Sequence, residues 1–168
     1  VVDAVAINAV PLTGGGSSSS FSLKPAGEKA KQSSASYFFV DEHAINTLGV
    51  ELIAGRNFTA GDVIVSGNDN KTPNVAIITQ AMADDLFAEQ NALGQRIYLG
   101  DFVLEIIGII DLMKGPWLKE ERKDRSVLIP YVKIGVFQQF MVRTEPGSRT
   151  EVMKNIEDKL LHAYDKRV

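Results

Sequence analysis

Hydrophobic and polar positions are most ordered over residues 74–110, NVAIITQAMADDLFAEQNALGQRIYLGDFVLEIIGII. The pattern predicts strand, helix, turn, strand, hairpin and strand. Val75, Ala76, Ile77 and Ile78 form a short continuous apolar run rich in branched residues, as expected of a strand covered on both faces. Thr79 stands where a helix N-cap belongs, with a hydroxyl suited to a backbone N–H of the first turn. Met82, Ala83, Leu86 and Phe87 then recur at helical spacing and define one apolar face. Asp84 and Asp85 are read as early-helix carboxylates complementing the dipole. Gly100 and Asp101 sit between residues 96–99 and 102–106 as a two-residue turn with Gly first.

Before this stretch, residues 1–10 alternate as a strand, with Val5, Ile7 and Ala9 on one side and Pro11 closing it. The strand opens without a cap or turn, so we expect elements upstream of Val1 in a longer chain. Gly14, Gly15 and Gly16 followed by Ser17 to Ser20 read as a flexible low-complexity loop. A short strand at residues 21–23, a polar loop at 25–34 and a strand at 35–40 follow. Asp41 is expected to cap a short helix through Ala44, Ile45 and Leu48 that Gly49 terminates. Residues 50–53 read as a strand, 55–58 as a turn and 67–73 as a loop.

After residue 110, DLMKGPWLKEERKDR forms a long charged loop with the only tryptophan, Trp117. Residues 127–129 read as a strand that Pro130 ends, because proline cannot donate to a central ladder. Another strand at 140–142 precedes a helix starting at Gly147 and Ser148, with Val152, Ile156, Leu160, Ala163 and Tyr164 along one stripe. Residues 166–168 look like the entry to a further strand. The sum is mixed α and β with more strand than helix.

At 168 residues, 45% hydrophobic and 23% charged, the chain is long enough for a substantial core and ordinary for a globular domain. A net charge of −3 gives no electrostatic footprint for nucleic acid. The lack of cysteine excludes thiol nucleophiles, disulfides and zinc fingers. No apolar run approaches the roughly 18 residues of a membrane span, and the start lacks a signal-peptide layout. An extracytoplasmic placement therefore implies targeting elements outside this stretch.

Candidate chemistry is sparse. His43 and His162 are the only histidines, and neither has carboxylates at ligand spacing; a structural or surface role explains them. Asp84 and Asp85 are adjacent and diverge by about 100° on a helix, so they do not converge on one substrate. Ser17 to Ser20 lack the strand-to-helix elbow of an activated serine, and the three glycines lack the Lys-Ser or Lys-Thr of a phosphate loop. No catalytic, cofactor-binding or metal residue is identified, and no cofactor is expected. Trp117 has two readings: an anchor that folds its loop onto the core, or a protruding contact for a partner. In the second reading Leu118 and Lys114 accompany it, with Gly15 and Ser18 contributing from the glycine-serine loop.

Taken in order, residues 37–41, 47–58, 75–79, Leu86 and Phe87, 92–97, 105–109 and 127–131 form a series: YFFVD, TLGVELIAGRNF, VAIIT, LF, ALGQRI, EIIGI and VLIPY. The series resembles the MacB-type periplasmic core domain of bacterial ABC transporter permeases that carry an FtsX-like membrane region. The resemblance implies an α+β fold, with a porter-like βαβ subdomain built from the chain ends and an inserted β-rich, sabre-like subdomain. The implied boundaries are 1–30 and 134–168 for the first, incomplete at its N-terminus, and 31–133 for the second.

It also implies a non-catalytic periplasmic domain of an inner-membrane protein. Such a domain couples ATPase-driven motion of membrane helices to export of a peptide, lipoprotein or small toxic compound. The expected partners are its own transmembrane helices, indirectly a cytoplasmic ATPase subunit, and a second permease copy or a periplasmic partner. The alternative is a stand-alone periplasmic ligand-binding or enzymatic α/β domain.

Overall fold

The computed structural model describes residues 1–66, 71–88, 90–117, 119, 121–133 and 138–163. In chain order the strands are β1 (Asp3–Ile7), β2 (Ser17–Ser22), β3 (Gln32–Val40), β4 (Leu52–Gly55), β5 (Ile64–Val65), β6 (Val75–Thr79), β7 (Arg96–Leu99), β8 (Phe102–Ile110), β9 (Ser126–Val132) and β10 (Gln139–Arg143). Among the described residues there are three helices: α1 (Ala44–Leu48), α2 (Gln80–Phe87) and, after the last of these strands, α3 (Arg149–Ala163). The chain is thus mixed α and β, with strands dominating, as its pattern predicts.

Six strands close on themselves. β3 pairs with β2, β2 with β7 through Ser22 and Tyr98, β7 with β8, β8 with β6, β6 with β9, and β9 returns to β3. Alternate residues of a strand point to opposite faces, so this circuit has an inside and an outside. Phe21, Ala35, Phe39, Ala76, Ile78, Ile97, Leu104, Ile106, Val127 and Ile129 share one core with Met82, Ala83, Leu86 and Phe87 of α2, which plugs the inside. The intervening residues Phe38, Val40, Val75, Ile77, Ile110 and Leu128 form a second core, covered by Val5 and Ile7 of β1 and Ala44 of α1. Every residue of β6 is consequently buried. Their buried branched and aromatic side chains, at about 1.5–3 kcal/mol each, make these two cores the main source of stability. β1 extends the sheet from the β3 edge, and β10 lies antiparallel outside it, with Asp3 opposite Arg143.

Several local expectations hold. Leu99 is directly opposite Phe102, so Gly100 and Asp101 form a two-residue turn, with Gly100 at φ 57°. Gly49 closes α1 in the left-handed conformation, φ 66°, where a residue without a Cβ is favoured. The Asp41 cap is corrected: His43 holds the N-cap position of α1 without a side-chain cap bond, and Asp41, two residues before that helix's first turn is entered at Ala44, accepts instead from the N–H of His43 at 3.0 Å through one carboxylate oxygen and from Ala6 N–H at 2.8 Å through the other.

Others are corrected. Ser17 to Ser20 are strand, because β2 pairs with β3 from Ser17 opposite Tyr37 to Ser22 opposite Gln32 while Phe21 is locked in the inner core; tertiary pairing overrides the low strand preference of serine. Thr79 holds the N-cap position, yet its hydroxyl accepts from Ser126 N–H at 3.1 Å instead of capping. Asp84 and Asp85 lie beyond the first turn of α2; Asp84 accepts from Gln80 at 2.6 Å, and Asp85 pairs with Arg125 at 3.0 Å. Pro130 lies within β9, opposite Val40 of β3, in the interval where pairing with β6 has ended at Leu128 and pairing with β5 has yet to begin at Tyr131, so its missing N–H is tolerated on the side where neither β6 nor β5 is paired with it. Finally, α3 buries no residue: Val152 and Ile156 are half-covered, and Leu160 is 63% exposed. Tyr164, the expected strand entry at 166–168 and most of the 67–73 loop fall outside the described residues.

Candidate functional site

The two loops singled out in the sequence meet in space. After β1 the chain turns at Leu12, whose φ of 66° is unusual for a residue with a Cβ. Its N–H donates to Gly115 O at 3.3 Å, and Gly14 N–H donates to Pro116 O at 3.0 Å. A side chain at Gly16 would collide with Cγ of Pro116 and stand 2.9 Å from its Cβ, so the glycine is needed for the loops to touch. Gly115 in turn lies on β3: a Cβ there would be 2.5 Å from Ser36 Oγ.

The charged loop closes on itself around this contact. Gly115 N–H donates to Lys123 O at 2.6 Å, and Lys114 forms an ion pair with Asp124. Arg125 pairs with Asp85 of α2 at 3.0 Å and reaches Ser33 Oγ at 3.4 Å, while its carbonyl accepts from Ser36 N–H at 3.0 Å. Gly115 and Pro116 are buried, Trp117 is partly covered, Lys114 is half-buried, and Gly15 and Ser18 are exposed. Leu118 lies outside the described residues. Exposed Leu12 and Leu112 flank the junction.

A second constellation, invisible in sequence, joins the terminal strands to α1. Asp3 of β1 accepts from Asn46 Nδ2 at 2.6 Å and lies 2.8 Å from His43 Nδ1. Its pKa is lowered, chiefly by the Asn46 hydrogen bond. From β10, Arg143 Nη1 donates to Asn46 O at 2.9 Å, with its guanidinium packed over Gly49. One residue of α1 is therefore gripped by both terminal strands. The signal lay in partners 43 and 97 positions apart, which no local spacing reports. Of the histidines, His43 belongs to this cluster and His162 is exposed, with Nδ1 2.6 Å from Asp158 O. No group of three or more metal-ligating side chains occurs among the described residues, and no helix of the described residues is long and apolar enough to cross a membrane.

Comparison with solved structures gives the class. The fold is similar to the periplasmic region of MacB from Actinobacillus actinomycetemcomitans, with 19% identity and a TM-score of 0.58, over 95% of this chain and 66% of that one. It is also similar to the extracellular domain of the noncanonic ABC-type transporter YknZ from Gram-positive bacteria, with 19% identity and a TM-score of 0.56, over 89% of this chain and 68% of that one. The chain thus spans about two thirds of the length of these relatives. These are extracytoplasmic regions of transporters. The chain belongs to the MacB-like periplasmic core domain family, which matches residues 2–159. It is a periplasmic domain of an ABC-type transporter permease. No curated protein matches it.

Proposed function

We propose that this domain couples movement of its permease's membrane helices, driven by a cytoplasmic ATPase, to export of a peptide, lipoprotein or small toxic compound. The observation that carries the reading is the grip on Asn46. β1 and β10, the first and last strands among the described residues, run side by side, and Asp3 and Arg143 hold the side chain and carbonyl of the same α1 residue. A displacement applied at both ends enters the domain through α1, whose Ala44 sits in the outer core against Phe38, Val40 and Ile77. Two packed cores on the two faces of one closed sheet make the rest move as a body.

In this reading β1, β10 and α3 form the porter-like part and the closed circuit the inserted part. β2 falls within residues 1–30 but goes with the circuit through its pairing with β3. Lys114, Gly15, Ser18 and Trp117 lie on or beside the junction of the two loops, which in this reading is the surface offered to a second copy or a periplasmic partner.

The test is export by the intact transporter carrying Asn46→Ala or Arg143→Ala, measured beside its ATP hydrolysis. Export falls while hydrolysis persists if the grip transmits motion. Unchanged export in both variants overturns the coupling role. A stand-alone ligand-binding or enzymatic domain would keep its activity after removal from any membrane protein.

A further inference from the structure

We propose that the groove between the serine face of β2–β3 and the turn at residues 121–124 binds a small zwitterion carrying a free carboxylate and an ammonium, such as an amino acid or a short peptide. This site is independent of the coupling reading and is measured without a membrane.

The groove is a cavity of about 330 Å³ lined by Ser18, Ser34, Ala35, Ser36, Glu121 and Arg122. Register builds its floor. Ser18 lies directly opposite Ser36, and Ser20 opposite Ser34, so their side chains cluster on one face of the strand pair. Ser20 is engaged, donating to Gln32 Oε1 at 3.0 Å. The hydroxyls of Ser18, Ser34 and Ser36 have no hydrogen-bond partner among the described residues. Ser36 is only 4% exposed as a residue and lines the cavity, but its hydroxyl is not buried without a partner as that of Thr47 is, so it stands open to the groove and is available to a ligand.

Charge makes the remaining selection. Lys114 and Arg125 on the same loop are neutralised by Asp124 and Asp85, whereas Arg122 and Glu121 have no ion pair among the described residues and line this cavity as its one cation and one anion; they also line the neighbouring cavity, beside Asp84, Asp85 and Asp124. A carboxylate set between the Arg122 guanidinium and the serine hydroxyls gains charge-assisted hydrogen bonds. An ammonium on the same short backbone answers Glu121, which also disfavours a multiply charged anion. Among the described residues no aromatic side chain lines the cavity, so none of them offers a nucleobase or sugar ring a stacking surface.

The test is calorimetric titration of the 168-residue chain with trialanine, with its N-acetylated form, with its C-terminal amide and with the doubly capped peptide. Trialanine is expected to bind saturably, the amide to lose binding, and the acetylated form to bind more weakly. Arg122→Ala and Ser36→Ala should each weaken trialanine about tenfold, while Ser20→Ala leaves it unchanged. Glu121→Gln should erase the difference between free and acetylated amino ends. If Ser36→Ala fails to fold, the exposed Arg122→Ala variant carries the test alone. Absence of saturable binding, equal binding of the doubly capped peptide, or an unaffected Arg122→Ala variant would overturn the proposal.

Discussion

Gly49 lies beneath the guanidinium of Arg143: a Cβ there would stand 2.6 Å from Nη1, and the same guanidinium hydrogen-bonds Asn46 O at 2.9 Å. The left-handed turn that ends α1 is thus the floor on which the β10 arginine rests. Local backbone chemistry and the attachment of a terminal strand are settled at one position.

Gly49→Ala should therefore lose stability for two separable reasons. The φ of 66° strains any L side chain by about 1–2 kcal/mol, and the new methyl group displaces Arg143. Urea unfolding of Gly49→Ala, Arg143→Ala and the double variant separates them. The double variant is expected to be less destabilised than the sum of the two, by the share due to the collision. Simple additivity would show that Arg143 does not rest on the glycine.

Gly16→Ala reports on the meeting of the loops. Its methyl group must push against the Pro116 ring, next to partly covered Trp117. As the only tryptophan, Trp117 gives an unambiguous signal. Its fluorescence should shift to the red as the loops part, with a stability loss near about 1 kcal/mol because both cores lie elsewhere. An unshifted spectrum would mean the charged loop holds its place without the glycine loop.

Thr47→Val should stabilise the protein. The Thr47 hydroxyl is buried without a partner, on a residue only 6% exposed. An unsatisfied buried hydroxyl costs about 1–3 kcal/mol, and valine has nearly the same shape without the polar atom. A rise in the urea midpoint at constant slope confirms this; a fall would show that the hydroxyl is matched in solution.

Acid should erode the turn after β4 only at low pH. The Asp62 carboxylate accepts from Arg56 at 2.8 and 3.0 Å and from the N–H and hydroxyl of Thr59 at 2.8 and 2.7 Å. These bonds, the Arg56 one foremost, hold its pKa well below the ordinary 3.8. With the folded pKa below the unfolded one, the contribution is complete above the ordinary value and is lost as pH falls through the folded value. Asp62→Asn should lower stability at pH 7 by on the order of 1 kcal/mol, given the exposed Arg56 side, and flatten the decline between neutral pH and strong acid. Parallel curves for variant and parent would remove Asp62 from the acid response.

How far the sequence discloses the fold follows from the range of each interaction. β6, the buried face of α2, the Gly100 turn and the Gly49 cap were legible because each is decided within a few residues. Serines read as flexible became β2 because Phe21 and the long β3 ladder hold them, and no local pattern encodes a partner strand. Pro130 misled for the same reason: its tolerance depends on where β6 stops and β5 begins. The loops around Gly15 and Trp117 stand out in composition, but that they touch, and that Ser36 lies under Gly115, is decided by the fold. Asn46 carried no signal at all, since it acts only where β1 and β10 converge on α1.

The stripe on α3 yields the sharpest contrast between pattern and packing. Amphipathic spacing assigns Val152, Ile156 and Leu160 to a core face, yet Leu160 and Leu161 are 63% and 57% exposed and Met153 58%. In the isolated chain, Leu160→Gln and Met153→Gln should each change unfolding free energy by less than about 0.5 kcal/mol, far from the roughly 2–5 kcal/mol of a core truncation such as Leu104→Ala. They should also increase solubility, because an uncovered apolar helix face promotes association. In the intact transporter the same substitutions discriminate further. A loss of expression or export there, against neutrality in the isolated chain, means that α3 is covered by something beyond these residues; neutrality in both settings leaves the helix face exposed to solvent throughout the transport cycle.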